Sequence, residues 1–416
     1  MPRALRPLRD FLVTEAGGGV LLATSAVVAL IWANSPWSQG YVDLWSTQAT
    51  VSIGNHALTL DLKHWINDGL MAIFFLVVGL EIKRELATGH LSTRRAALLP
   101  VSAAIGGMVV PALIYLAIAG GTAPTGWAIP MATDIALAVG IVAVAGDRVH
   151  PSLRVLLLGL AVVDDIGAII IIAAFYSDSV SWQWLLVAAG AIAATIAAKR
   201  LVVRRTVVYV VLGVVLWYAF HEAGIHATLA GVVMGLLAPT TPHLSADFID
   251  AEELADVSSV DAAFTTTGIA RSAVSDVEWL QHLVHPWTSY LIVPLFALAN
   301  AGIEISGVGL RGAVRSPITW AIVCGLVIGK PLGVVVASRV AVRMGIAAPP
   351  TASSPRRVLG IGAAAGIGFT VALFITELAF DDPVQIVEAK LAVLVASLAA
   401  AGFSAVLLLG GHRARR

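Results

Sequence analysis

Apolar stretches of about 20 residues recur along the whole chain, separated by short polar connections. A helix of that length matches a hydrocarbon core of about 30 Å, so each stretch is a candidate membrane span. Hydropathy places about twelve of them, near 12–33, 65–82, 97–119, 127–145, 155–175, 184–199, 206–221, 224–238, 287–303, 317–338, 358–380 and 385–409. The seventh and eighth nearly merge, because His221, Glu222 and His226 interrupt one apolar stretch. Two connections differ from the rest. Residues 47–62 alternate polar and apolar positions around Gly54-Asn55, the pattern of a β-hairpin. An isolated hairpin is marginal in water, so this one is expected to pair with something, such as its copy in a second subunit. Residues 239–286 read as a long, acidic connecting loop with proline and serine.

Composition agrees. The chain is 58% hydrophobic and 12% charged, with a mean hydropathy of +0.88, against about 25% charged residues in soluble domains. The expected fold is a single all-α polytopic membrane domain over 1–416. The lone Cys324 excludes a disulfide framework and a cysteine metal cluster. No cofactor and no nucleic-acid partner is expected. The basic N-terminus is not followed by a small-residue cleavage site after the first apolar run, which therefore reads as a retained span. Net charge is zero, but its distribution is lopsided. With both termini cytoplasmic, 21 Lys and Arg fall on the inner side and three, Lys63, Arg311 and Arg315, on the outer. That bias orients the chain and puts the hairpin outside.

The chemistry lies in charges inside spans. Asp164 and Asp165 stand together in LLLGLAVVDDIGAIIIIAAF, where one charge at the bilayer centre costs roughly 3 kcal/mol. An intramembrane carboxylate is by default an ion or proton site. Neighbouring helix positions point about 100° apart, so one carboxylate is expected to face a cavity and the other a protein partner. A metal cation and a proton would compete for the same oxygens. Asp134 and Thr133 follow Pro130 inside another span. Proline interrupts the helical ladder there, and the Thr-Asp pair offers partners for the freed backbone groups. Three roles stay open for Asp134: neutralising the positive end of a half-helix, ligating an ion directly, or simple capping. Lys330 has apolar flanks and needs a carboxylate partner or the negative end of a half-helix, and Asp164 is the natural candidate for the pairing. Glycines 360, 362, 366 and 368 weaken a second span in the other half of the chain. Two interrupted spans in opposite halves point to inverted repeats around a midplane site.

Softer candidates flank this group. Asp68 and Glu81 bracket twelve uncharged residues, about 18 Å of helix, so at least one of them is expected to line a funnel below the surface. Asp68 reads equally well as a helix N-cap. Glu81 and Glu85 share a helix face at the inner end. His226, His282 and His285 sit near span ends and titrate in a useful range, although a structural role suits each of them.

The motifs INDGLMAIFFLVVGLEIKREL (66–86), ATDIALAVG (132–140), LAVVDDIGAI (160–169), HATLAGVVMG (226–235), HPWTSYLIVPLFALANAG (285–302), IGKPLG (328–333) and GIGFTVALFI (366–375) resemble the NhaA family of sodium/proton antiporters over about residues 9–410. That family is itself a standard example of inverted repeats and broken helices, so the two expectations are one argument. The resemblance implies twelve helices, two of them discontinuous and crossing near the midplane, a cytoplasmic acidic funnel, and a location in the bacterial inner membrane. It implies exchange of cytoplasmic sodium or lithium for external protons. Asp165 would be the principal ion ligand, with Asp164 beside it and paired to Lys330 in the proton-loaded form. Thr133 and Asp134 would serve the helix crossing. Glu81, Glu85, His226, His282 and His285 match positions tied to pH response, and the hairpin matches the family's dimer contact. Two departures bear on pH activation: Gln281 stands where the family pattern has glutamate, and the loop at 239–280 is long.

Two other classes compete. A sodium-coupled symporter of an organic anion would need polar groups lining a substrate pocket, and the spans offer few beyond Lys330 and Lys390. An intramembrane aspartyl protease would need two aspartates on different helices sharing a water. Here the strongest pair is consecutive, and Lys330 would disturb a dyad of Asp134 with Asp164.

Overall fold

In the computed structural model of the chain, the described residues are 6–410 apart from 54–55, 90, 178–179, 202, 204, 241–274 and 351–353. Helix α1 (Arg6–Ala33) is followed by the short α2 (Ser38–Ser46), turned 113° from it. Strands β1 (Gln48–Ile53) and β2 (His56–Asp61) form the expected hairpin, antiparallel, with Gln48 opposite Asp61 and Ile53 opposite His56. Its turn, Gly54-Asn55, lies outside the described residues.

The remainder is helical: α3 (Leu62–Ala87), α4 (Arg94–Ala119), a 3-10 segment (Pro124–Met131), α5 (Ile135–Ala145), α6 (Pro151–Phe175), α7 (Trp182–Arg200), α8 (Thr206–Glu222) and α9 (Leu229–Leu237). Then come α10 (Asp276–Trp287), α11 (Val293–Asn300), α12 (Gly307–Arg315), α13 (Pro317–Arg343), α14 (Pro355–Ala365), α15 (Phe369–Ala379) and α16 (Pro383–Leu409). Each apolar stretch expected from hydropathy contains helix. Among the described residues seven helices are long and apolar enough to cross a membrane, or nine with each bent pair taken as one span. Segments such as α9 fall short by length.

Local sequence explains the helix starts. Four helices open with a polar cap followed by proline at the first helical position: His150-Pro151, Ser316-Pro317, Ser354-Pro355 and Asp382-Pro383. Each cap side chain accepts a backbone N–H of the first turn, and proline there sacrifices no hydrogen bond. Helix α10 begins at Asp276, well before the apolar run expected at 287. Ser275 caps it, accepting from Glu278 N at 3.2 Å and donating to Glu278 Oε2 at 3.0 Å. This capping arrangement shortens the connecting loop expected over 239–286, and residues 241–274 lie outside the described ones.

Two groups of helices emerge from the packing. In one, α4, α6, α13, α14, α15 and α16 surround the 3-10 segment and α5. In the other, α3 packs on α9 and α10, α8 on α7 and α9, and α1 on α11. They meet where α3 touches α6, α1 touches α5 and α11 touches α15.

Candidate functional site

Two backbone interruptions lie side by side inside the first group. The 3-10 segment ends at Met131, residues 132–134 are extended, and α5 restarts at Ile135. Pro130 removes a donor from this stretch. The second interruption is Gly366–Gly368, where α14 and α15 bend by 47°. Glycine is needed at Gly366, since a Cβ there would stand 2.5 Å from the Leu326 carbonyl oxygen on α13. The interruptions touch directly: Asp134 N donates to Ile367 O at 2.6 Å.

Interrupted helices leave unpaired N–H groups at restarts and unpaired carbonyls at stops. Charged side chains meet both. Asp134 Oδ1 accepts from Leu137 N at 3.1 Å, capping α5. Its Oδ2 accepts from Thr370 N at 3.0 Å and from Thr370 Oγ1 at 2.7 Å, capping α15 as well. At the stops, Lys330 Nζ donates to Met131 O, and Thr133 Oγ1 lies 2.9 Å from Ala365 O at the end of α14. Negative charge sits at the helix starts and positive charge at a helix stop, as the peptide dipoles favour.

Lys330 is placed by a π turn, Gly325–Gly329, which immediately precedes it within α13. The extra residue of such a turn re-aims the side chains that follow. Lys330 Nζ donates to Asp164 Oδ2 at 2.8 Å, with both side chains fully buried. Thr133 Oγ1 approaches the same oxygen at 2.6 Å. A hydroxyl has one proton, so Thr133 donates to Asp164 or to Ala365 O at any moment. Asp164 Oδ1 is buried and forms no hydrogen bond with a described residue. Asp165, the next residue on α6, keeps 7% of its surface and is held by no hydrogen bond or ion pair among the described residues. Glu81 on α3, in the other helix group, adds a like charge that acts on Asp165.

The structure thus gathers Asp134, Thr133, Asp164, Asp165 and Lys330 into one cluster, with Glu81 approaching. One turn further along α3, Arg84 Nη2 lies 3.5 Å from Glu85, and Arg84 Nη1 donates to Gln281 on α10 at 2.9 Å. The buried Gln281 therefore ties the two helices together through its amide. His282 is exposed and His285 half-buried, both on α10. His226 is elsewhere. Its Nε2 is 2.5 Å from Tyr176 O, twelve residues beyond Asp164 on the α6 side, or about 18 Å along a helix. Asp68, considered as a cap, is engaged through its backbone carbonyl by Trp217 Nε1 at 2.9 Å. Among the described residues no three His, Cys, Asp or Glu form a metal-binding group. Thr370 was not singled out in the sequence, although a threonine two residues after a glycine break falls in the first turn of a restarting helix. A second ionic cluster was missed too: Glu377 on α15 pairs with Lys63 at the start of α3 at 2.9 Å and with Lys390 on α16.

Long apolar helices enclosing a fully buried lysine–aspartate pair, where two of them are interrupted, define a membrane ion transporter. The relatives give the particular kind. Residues 9–408 match the family model described as Na+/H+ antiporter 1. The chain is 46% identical to Na(+)/H(+) antiporter NhaA 2 of Sorangium cellulosum, over 95% of this chain and 88% of that protein. It is 44% identical to the NhaA of Oleidesulfovibrio alaskensis, over 98% and 94%, and 46% identical to that of Rhodopirellula baltica, over 95% and 92%. The chain belongs to the NhaA family of sodium/proton antiporters. A solved structure of the sodium proton antiporter MjNhaP1 from Methanocaldococcus jannaschii shares the fold, with a TM-score of 0.51 at 14% identity over 97% of this chain and 98% of that one.

Proposed function

We propose that the chain is an electrogenic antiporter of the bacterial inner membrane that exports cytoplasmic sodium or lithium in exchange for external protons, with Asp165 and Asp164 as the shared carboxylates. The observation that carries this reading is the asymmetry at Asp164, which precedes Asp165 on α6: Oδ2 is engaged by Lys330 and Thr133, whereas Oδ1 forms no hydrogen bond with a described residue. Carboxylate oxygens suit a hard cation such as sodium. When sodium binds Asp165 and Asp164, Lys330 gives up a proton, yields Oδ2 and keeps the Met131 carbonyl as a partner. When protons return, one to Asp165 and one to Lys330, the Lys330–Asp164 pair re-forms, so that more positive charge enters as protons than leaves as sodium.

The neighbouring interruptions, each in a different half of the chain, support two discontinuous helices crossing near the midplane of an inverted-repeat fold of twelve helices. Asp134 then holds the crossing together electrostatically and does not itself carry the ion, since both its oxygens cap helix starts. The lysine and arginine distribution supports cytoplasmic termini. Glu81, Glu85, His282 and His285 then line the inner approach and adjust the response to pH, and His226 acts at the outer end. The outer hairpin is the proposed contact of a homodimer. A protease dyad of Asp134 with Asp164 is disfavoured because Asp134 is a cap and Asp164 an ion-pair partner.

Replacing Asp165→Asn is expected to abolish sodium-driven proton movement in everted membrane vesicles while the protein stays folded and inserted; full exchange in that variant overturns the assignment. Competition has its own signature in the wild-type protein. Lowering the pH on the sodium-loading side should raise the sodium concentration needed for half-maximal exchange, and a pH-independent value argues against shared carboxylates.

A further inference from the structure

A cavity of about 680 Å³ opens between the starts of α6 and α14 and the end of α16. Its polar wall carries Arg148 and His150, on the turn before α6, with Arg356 and Arg357 in the first turn of α14. Its other wall is Leu407 and Leu409. The turn bearing Arg148 is braced, because Arg154 on α6 donates to the carbonyl of Gly146, a residue with φ of 56°. Arg356 Nη2 donates to Val406 O at 3.1 Å, which ties α14 to the end of α16. Among the described residues no carboxylate pairs with Arg148, Arg356 or Arg357. Three guanidinium groups with no carboxylate partner among the described residues therefore line one cavity where two helix N-termini add their own positive ends.

What continues from the cavity decides the class of anion. Along α16, Val406 is 65% exposed, Leu398 75% and Val395 57%, all on one face. Between them Gly402 has nothing within 4 Å of the place a Cβ would take. This face runs for about 16 Å from the cavity toward the middle of the helix. An anionic headgroup above an apolar track has the shape of a phospholipid. Basic pockets between membrane helices are the usual receptors for such headgroups.

We propose that Arg148, Arg356 and Arg357 form a binding site for an anionic phospholipid, with its phosphate among the guanidinium groups and an acyl chain along the Val395–Val406 face of α16. The site joins the ends of α6, which carries Asp164 and Asp165, and α14, which ends at the Gly366 interruption. An occupant would clamp the helix that carries the two aspartates to the helix that ends at the interruption. The site does not depend on which cation is carried.

Thermal unfolding of the purified full-length protein in detergent tests the site, with dioleoyl phosphatidylglycerol, dioleoyl phosphatidylcholine or inorganic phosphate added. The variant R148Q/R357Q removes two guanidinium groups that hold no side-chain partner among the described residues; R94Q/R95Q, at the start of α4, removes the same charge elsewhere. Phosphatidylglycerol should raise the unfolding midpoint of the wild type and of R94Q/R95Q, whereas in R148Q/R357Q its apparent affinity should fall by about tenfold or more. Phosphatidylcholine should give no shift that depends on these arginines. An undiminished phosphatidylglycerol response in R148Q/R357Q overturns the site. Equal stabilisation by inorganic phosphate overturns the lipid in favour of a free anion. The single variants R148Q and R357Q make the same comparison should the double variant fail to fold.

Discussion

Asp164 uses one carboxylate oxygen to hold Lys330 and Thr133, while the other forms no hydrogen bond with a described residue. That division matters energetically because both members of the ion pair are fully buried. Removing one partner of such a pair leaves an uncompensated charge and costs about 3–5 kcal/mol. Lys330→Ala is therefore expected to lower the unfolding midpoint in detergent clearly as well as impair exchange; an unchanged midpoint would mean that Asp164 is stabilised some other way. The acids and the lysine were legible in the sequence, since charges inside apolar runs demand a reason. The Met131 and Ala365 carbonyls that complete the network were not, because every residue carries the same backbone acceptor and only the fold selects which are left over.

At the scale of elements, the two interruptions make the site. Pro130 in one span and Gly366 and Gly368 in the other were readable as weak points of a helix. Their meeting was not, because residues 134 and 367 are far apart in the chain and sequence spacing says nothing about which loops share a volume. The close approach of Gly366 to α13 gives this packing a sharp test. Gly366→Val places a side chain against the Leu326 backbone, which cannot rotate away, and should cost about 1–3 kcal/mol or more. Gly190→Val, where nothing lies within 4 Å, is the control expected to unfold near the wild-type midpoint. The start of α10 carries a different lesson. Its Ser275-x-x-Glu278 signal was present in the sequence, but apolar periodicity alone placed the helix boundary at 287, too late.

For the whole molecule, the cluster of Asp164, Asp165 and Lys330 belongs to one helix group while Glu81 reaches it from the other. The Lys63–Glu377–Lys390 cluster bridges the same two groups. Its charges are unequal in burial: the Lys63 side chain is 30% exposed and that of Lys390 only 7%. Lys63→Met should therefore cost about 1 kcal/mol or less, because Glu377 retains Lys390. Glu377→Gln should cost about 3–5 kcal/mol, because it leaves the buried Lys390 without a carboxylate. Unfolding midpoints of the two variants, measured side by side, check that order. By itself, the sequence determined that this is a polytopic helical membrane protein with charges deep inside its apolar runs, because hydropathy over 20 residues is a local property that the bilayer reads directly. Only the tertiary structure decided that Asp134 serves two helix starts at once, that Glu377 joins two lysines from distant helices, and that Thr133 shares the Asp164 oxygen that Lys330 holds. Those outcomes depend on which backbone ends and side chains the packing brings within hydrogen-bond distance, and no spacing along the chain encodes that.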